Sequence, residues 1–122
     1  MVREIKFKAW DTRNKCMEEI DGCHLYMADG KVYEVYESSY AYQSYMEKKD
    51  VSDRYIPLQY TGLHDKNGQE IYAGYIYDIG ICTKIIRPDY FIEDTYELMK
   101  MLEDNARIEV IGNIYDNPEL LK

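Results

Sequence analysis

An α+β fold built mainly of strands, with one late helix, follows from three features of this 122-residue sequence. Short apolar–polar alternations recur along most of the chain, separated by Gly, Asn, Asp or Pro. Only residues 89–104 carry helical spacing over several turns. Four of the seven glycines fall in residues 60–80, "YTGLHDKNGQEIYAGYIYDIG", a stretch that reads as a succession of turns and bends. Several short strands punctuated by turns predict a small, strongly bent sheet or barrel, and the length predicts a single domain.

The elements follow in order. "REIKFKAW" (3–10) alternates, with Ile5, Phe7 and Ala9 on one face and Glu4, Lys6 and Lys8 on the other, which predicts a half-buried strand ending at the core anchor Trp10. "DTRNK" (11–15) is a polar turn and "CMEEI" (16–20) the returning strand. Asp29-Gly30 between 22–28 and 31–37 predicts a hairpin, because a type I′ turn needs positive φ at both central residues. Residues 38–54, "SSYAYQSYMEKKDVSDR", predict a short helix, an ordered surface loop, or a mobile excursion carrying exposed tyrosines. "YIPLQY" (55–60) predicts a strand, with Pro57 placing it at an edge or Pro57 near its start. Asp65 and Gly68 occupy the ends of a type I turn. Gly74 marks a bulge or close approach, with Ile76 and Ile79 available to the core. A short strand within 81–86 stops at Arg87-Pro88. In the helix over 89–104, Ile92, Tyr96, Met99 and Leu102 form the inward stripe, Asp89 is the N-cap, and Asn105 ends it. "RIEVIGNIY" (107–115) is a strand bulged at Gly112, and Asn117-Pro118 opens a terminal turn.

Composition narrows the function classes. Hydrophobic residues make up 46% and charged residues 31%, the balance of a soluble globular chain. No run reaches the roughly 18 apolar residues of a membrane span. The opening residues lack the apolar core of a signal peptide, so a cytoplasmic setting is expected. The net charge of −8 disfavours nucleic acid as a partner, since phosphate neutralisation supplies most of that affinity. A basic N-terminal cluster (Arg3, Lys6, Lys8, Arg13, Lys15) leaves a nucleic-acid-binding barrel as the least favoured reading. Cys16, Cys23 and Cys82 are odd in number and scattered, and with His24 and His64 they form no metal-ligand spacing, so neither a disulfide framework nor a metal is expected. "DKNGQE" does not fit a calcium loop: aligned on Gly68, Leu63 and Gly74 fall where ligands belong. Nor does a G-K-[ST] follow to make a phosphate loop. Cys23 and His24 are neighbours, which on a strand point to opposite faces and form no dyad. No cofactor, catalytic residue or enzymatic activity is expected.

Three blocks, "REIKFKAWDTRNKCM", "QYTGLHDKNGQEIYAGYI" and "EVIGNIYDNPELL", resemble the YopX family of phage and prophage proteins in sequence and in order. The resemblance implies an SH3-like barrel element over 55–122 preceded by N-terminal hairpins over 1–54, and a home on bacterial mobile elements. It implies no reaction, cofactor or catalytic residue. Where the family typically reads E-G-D after "EIY", this chain has Ala73-Gly74-Tyr75. The two carboxylates are absent while the surrounding block persists, which points to a structural role for that block.

The expectation is a protein-binding module with a host or phage partner, and two surfaces are candidates. Tyr36, Tyr40, Tyr42 and Tyr45 offer amphipathic rings of the kind enriched at interaction hot spots. Residues 89–104 hold six acidic side chains against one basic, a net of −5. There Glu93, Asp94, Glu97 and Glu103 would form an exposed acidic face suited to inhibiting a host nucleic-acid enzyme through its basic groove. Self-assembly through the tyrosines, as an architectural accessory, is the alternative.

Overall fold

The computed structural model describes residues 5–21 and 24–121; Arg3, Glu4 and Cys23 therefore lie outside the described residues. Among those described, the chain is mostly strand with one α-helix and a curled, half-barrel sheet, the α+β, barrel-like fold expected. It divides into two compact units, Phe7–Pro57 and a second built from Leu58–Lys122 that takes in Lys6.

In the first unit, β1 (Phe7–Asp11) and β2 (Cys16–Glu19) pair antiparallel, with Trp10 opposite Met17. Asp11 organises the turn between them. Its Oδ1 accepts the N–H groups of Arg13 and Asn14 at 2.9 and 3.1 Å. The Arg54 guanidinium donates to Oδ1 and Oδ2 at 3.0 and 2.8 Å. That pairing holds the Asp11 carboxyl well below the usual carboxylate range, against the opposing effect of burial. β3 (Leu25–Ala28) turns into β4 (Lys31–Tyr40) through Asp29 and Gly30 at φ 54° and 75°, the expected type I′ pattern. Ala9, Leu25, Val32, Val51 and Tyr55 form the core, and Trp10 is buried as expected of an anchor. Ile5, expected on the inner face, is exposed.

Residues 38–50 are strand on either side of a tight reversal rather than helix or loop, and 52–54 form a turn. β4 runs on to Tyr40, and β5 (Gln43–Asp50) pairs with it antiparallel from Tyr33↔Asp50 to Tyr40↔Gln43. The tyrosines and valines of 32–40 favour a pleated strand. The reversal, Ala41-Tyr42, lies in the left-handed region at φ 51° and 69°. Neither residue type signals such a turn, which is why the spacing read as helical.

The second unit takes most of β6 (Tyr55–His64), with Pro57 third in the strand and an irregularity between Tyr60 and His64 where Gly62 has φ 86°. β7 (Glu70–Tyr72) pairs back onto it. The reversal between them is the expected turn: the Gly68 N–H donates to the Asp65 carbonyl at 3.0 Å, with Gly68 at φ 82°. Asp65 Oδ1 accepts from the Asn67 and Gln69 amides, both at 2.9 Å, and Oδ2 from the Val110 amide at 3.0 Å. Burial pushes this carboxyl up, but the three amides outweigh it and its pKa is lowered.

β8 (Tyr75–Asp78) lies between β9 (Thr83–Ile85) and β10 (Glu109–Asn113), the last shifted in register between Val110 and Gly112 as the bulge expectation required. Gly74 is a close-approach residue. Its N–H donates to Ile86 O at 2.6 Å, its carbonyl accepts from Ile114 N at 2.8 Å, and a Cβ would stand 3.0 Å from the Tyr115 ring. Leu58, Ile71, Ile76, Ile86, Leu98 and Ile108 fill the centre.

Helix α1 (Phe91–Glu103) follows a 3-10 turn, Pro88–Tyr90, and neither has a side-chain cap, so Asp89 is not the N-cap. Asn105, at φ 63°, ends it as expected. Its buried residues are Asp94, Thr95 and Leu98, whereas Ile92 and Tyr96 are 76% and 56% exposed. The expected stripe therefore lies about one residue off the true inward line. Apolar spacing alone missed this because the line includes a carboxylate. Asp94 turns inward since Arg87 satisfies it, by its N–H at 3.0 Å and by Nε and Nη2 at 2.7 and 2.8 Å.

Candidate functional site

The four tyrosines nominated from sequence gather at the far end of the β4–β5 ribbon. Directly opposed residues of an antiparallel pair share a face, and faces alternate along each strand. The register therefore puts Glu34/Lys49, Tyr36/Glu47, Ser38/Tyr45 and Tyr40/Gln43 on one face. Nearer the β3–β4 turn, that same face carries Leu25, Met27 and Val32, which belong to or pack on the core. The apolar stripe thus continues past the residues that cover it. Tyr36 and Tyr45 are left 41% and 45% exposed, Tyr40 77%, and Tyr42 at the turn is fully exposed.

The face is ordered rather than slack. The Glu47 carboxylate accepts from Ser38 Oγ at 3.1 Å and lies beside the Tyr36 phenol opposite it. The hydrogen bond to Glu47 pushes the Tyr36 pKa up. The reverse face meets its own needs. Tyr26 and Tyr33 stack with ring centroids 5.4 Å apart, and Lys48 Nζ lies 4.6 Å from the Tyr33 ring and 5.8 Å from that of Tyr26. Rings held under a cation need no further partner, whereas those of the Tyr36 face lie open.

The acidic helix is a smaller feature than its sequence promised. Asp94 is buried against Arg87, which holds its pKa down, and does not belong to an exposed face. Glu97 pairs with Lys84 at 2.7 Å. Glu93 and Glu103 remain exposed. Asp94, Glu97, Lys84 and Arg87 line a cleft of about 270 Å³ with Tyr77, so both of its cations already hold a carboxylate.

Two further groups of chemistry-bearing side chains are likewise engaged. Ligand atoms of Asp11, Cys16 and Glu18 lie within 4.8 Å of one another, the spacing of a cation site. Asp11 is claimed by Arg54, and the Cys16 thiol, pushed up by burial, donates to Glu18 at 3.6 Å. A metal there would meet a guanidinium and a protonated thiol. His64 Nε2 lies 3.2 Å from the Tyr60 hydroxyl, beside Lys6 paired with Glu70. That histidine meets a phenol at the end of β6 rather than a nucleophile. Among the described residues, no helix is long and apolar enough to cross a membrane.

The "DKNG…AGY" block is a joint between strands: Asp65 reaches β10, and Gly74 lets three segments meet. The YopX protein family model matches residues 6–122, nearly the whole chain. This chain belongs to the YopX family. No curated protein matches it. Among solved structures it is similar to protein EF1440 from Enterococcus faecalis, at 23% identity and a TM-score of 0.53, covering 99% of this chain and 100% of that one. At that identity the likeness speaks for the fold. This YopX chain thus shares its architecture with that protein along nearly all of both chains. Sequence reasoning expected the four tyrosines to be exposed but not the Ala41-Tyr42 reversal that aligns them. It also missed the Arg54–Asp11 pair, whose members stand 43 residues apart and leave no local signal.

Proposed function

We propose that this YopX-family chain is a protein-binding module without chemistry of its own, and that the tyrosine face of the β4–β5 ribbon is its contact surface. The observation that carries the reading is one face with three open tyrosines and a fourth at its tip, presented by a turn strained at two non-glycine positions. Residues at positive φ cost about 1–2 kcal/mol each and persist where something else requires the geometry. Exposed rings with few rotatable bonds are economical anchors, because little side-chain freedom is lost on binding. The family resemblance adds a phage or prophage accessory setting in a bacterial cytoplasm, with a partner encoded by host or phage.

A second reading, an acidic inhibitor of host nucleic-acid or defence machinery, draws on α1. It is favoured by Ile92 and Tyr96 standing exposed beside Glu93, which gives the helix an apolar edge next to its charge. Affinity purification from the bacterial host separates the two. A partner retained by wild type and by Glu93→Lys/Glu97→Lys, but lost from Tyr36→Thr/Tyr40→Thr/Tyr45→Thr, is the expected result. The opposite pattern would move the contact to the helix, and binding there would weaken with salt as the charges are screened.

A further inference from the structure

We propose that the occupant of the tyrosine face is a second copy of this chain, packed face to face about a twofold axis. The inference rests on the reading of the ribbon as a contact surface, and adds its partner.

Area is the first argument. The open portions of Tyr36, Tyr40, Tyr42 and Tyr45 add up to between two and three whole tyrosine side chains. At about 150–250 Å² each, that is roughly 500 Å² per copy. Covering all of it on both copies buries up to roughly 1,000 Å², the low end of specific interfaces.

Charge is the second. The whole chain has a net charge of −8, so most of its surface repels a copy of itself. Residues 31–50 hold Lys31, Lys48 and Lys49 against Glu34, Glu37, Glu47 and Asp50, a net of only −1. The ribbon is thus a place where two such chains can approach at little electrostatic cost.

Shape is the third. Along the face the rungs run Tyr36/Glu47, Ser38/Tyr45, Tyr40/Gln43, with the small Ser38 in the middle. A twofold axis running along the strands, midway between β4 and β5, lays each Tyr45 over the other copy's Ser38. It also lays the outer rungs over their own copies, so that the Tyr36 hydroxyl meets the Glu47 carboxylate and the Tyr40 hydroxyl the Gln43 amide. The same patch serves both sides, as an isologous dimer requires.

The ribbon's outer edge is not the contact. β5 is outermost in its sheet, and its second half reads Glu47-Lys48-Lys49-Asp50, charges that discourage strand addition.

Sedimentation equilibrium of the full chain tests the proposal, over about 5–200 µM, a range that brackets the micromolar affinity expected of so small an interface. Wild type should move from 14.5 kDa toward twice that mass. Tyr40→Thr/Tyr45→Thr should stay monomeric with an unchanged circular dichroism spectrum. Ser38→Arg, which leaves every tyrosine in place and puts a charge at the centre, should also be monomeric, and it stands in if the double variant does not fold. A wild type that stays at 14.5 kDa throughout overturns the proposal, as does a dimer that survives both variants. A monomer whose heterologous partner is lost from Tyr40→Thr/Tyr45→Thr removes the second copy but keeps the ribbon as contact surface. A monomer whose captured proteins do not respond to these variants removes both.

Discussion

Gly68 and Gly74 both hold positive φ, at 82° and 86°, yet the chain needs them for different reasons. A Cβ at Gly68 would meet nothing within 4 Å, so only backbone conformation is at stake. A Cβ at Gly74 would press to 3.0 Å from Tyr115 while the residue's own N–H and carbonyl are both held. Gly68→Ala should therefore cost about 1–2 kcal/mol. Gly74→Ala should cost about 2–4 kcal/mol, because crowding adds to the same conformational penalty. Urea unfolding of the two variants measures the gap. Equal losses would mean that Tyr115 swings away freely and that the joint is not tight.

At the scale of one element, α1 separates two adjacent lines of side chains. Leu98 is fully buried and Ile92 is 76% exposed, although both are large aliphatic residues. Leu98→Ala should cost about 2–5 kcal/mol. Ile92→Ala should change stability by about 0.5 kcal/mol or less. Thermal melts decide it, and a larger loss at Ile92 would restore the stripe expected from spacing. The same helix shows what sequence could convey. Its extent and its Asn105 end were legible, because apolar period and a left-handed stop are local signals. Its rotation was not: Asp94 turns inward only because Arg87, on the preceding segment, receives it. The strands at Asp29-Gly30, Asp65–Gly68 and Gly112 were legible because their turn and bulge residues carry their own chemistry. The β4–β5 ribbon was not, since Ala41-Tyr42 reverses the chain without Gly or Asn. The tyrosines of the candidate site are thus exposed as expected, but they stand on a strand ribbon rather than on a helix or loop.

For the molecule as a whole, Asp11, Asp65 and Asp94 all hold depressed pKa values: Asp11 and Asp94 through Arg54 and Arg87, Asp65 through backbone amides that outweigh its burial. Each binds a proton less readily folded than unfolded. Each therefore contributes stability that is present above its unfolded value, about 3.9, and is lost as pH falls through the folded value. The melting temperature should be level from neutral pH to about 5 and fall below about 4. Asp11→Asn should lower it at neutral pH and flatten the acid limb, and a limb as steep as that of wild type would remove Asp11 from the account. One arrangement described above also bears on how the chain is made. The Tyr60 amide donates to Lys6 O at 2.9 Å, and the Gly74 carbonyl receives the amide of Ile114. During synthesis, Phe7–Pro57 leaves the ribosome whole before the bulk of the second unit is made. Lys6, made before any of it, waits until Tyr60 has emerged, and Gly74 waits for nearly the last strand. Translation thus presents an inserted unit that can close early inside a surrounding one that closes late, and a nascent chain stalled short of Ile114 carries the second unit still open at its joint.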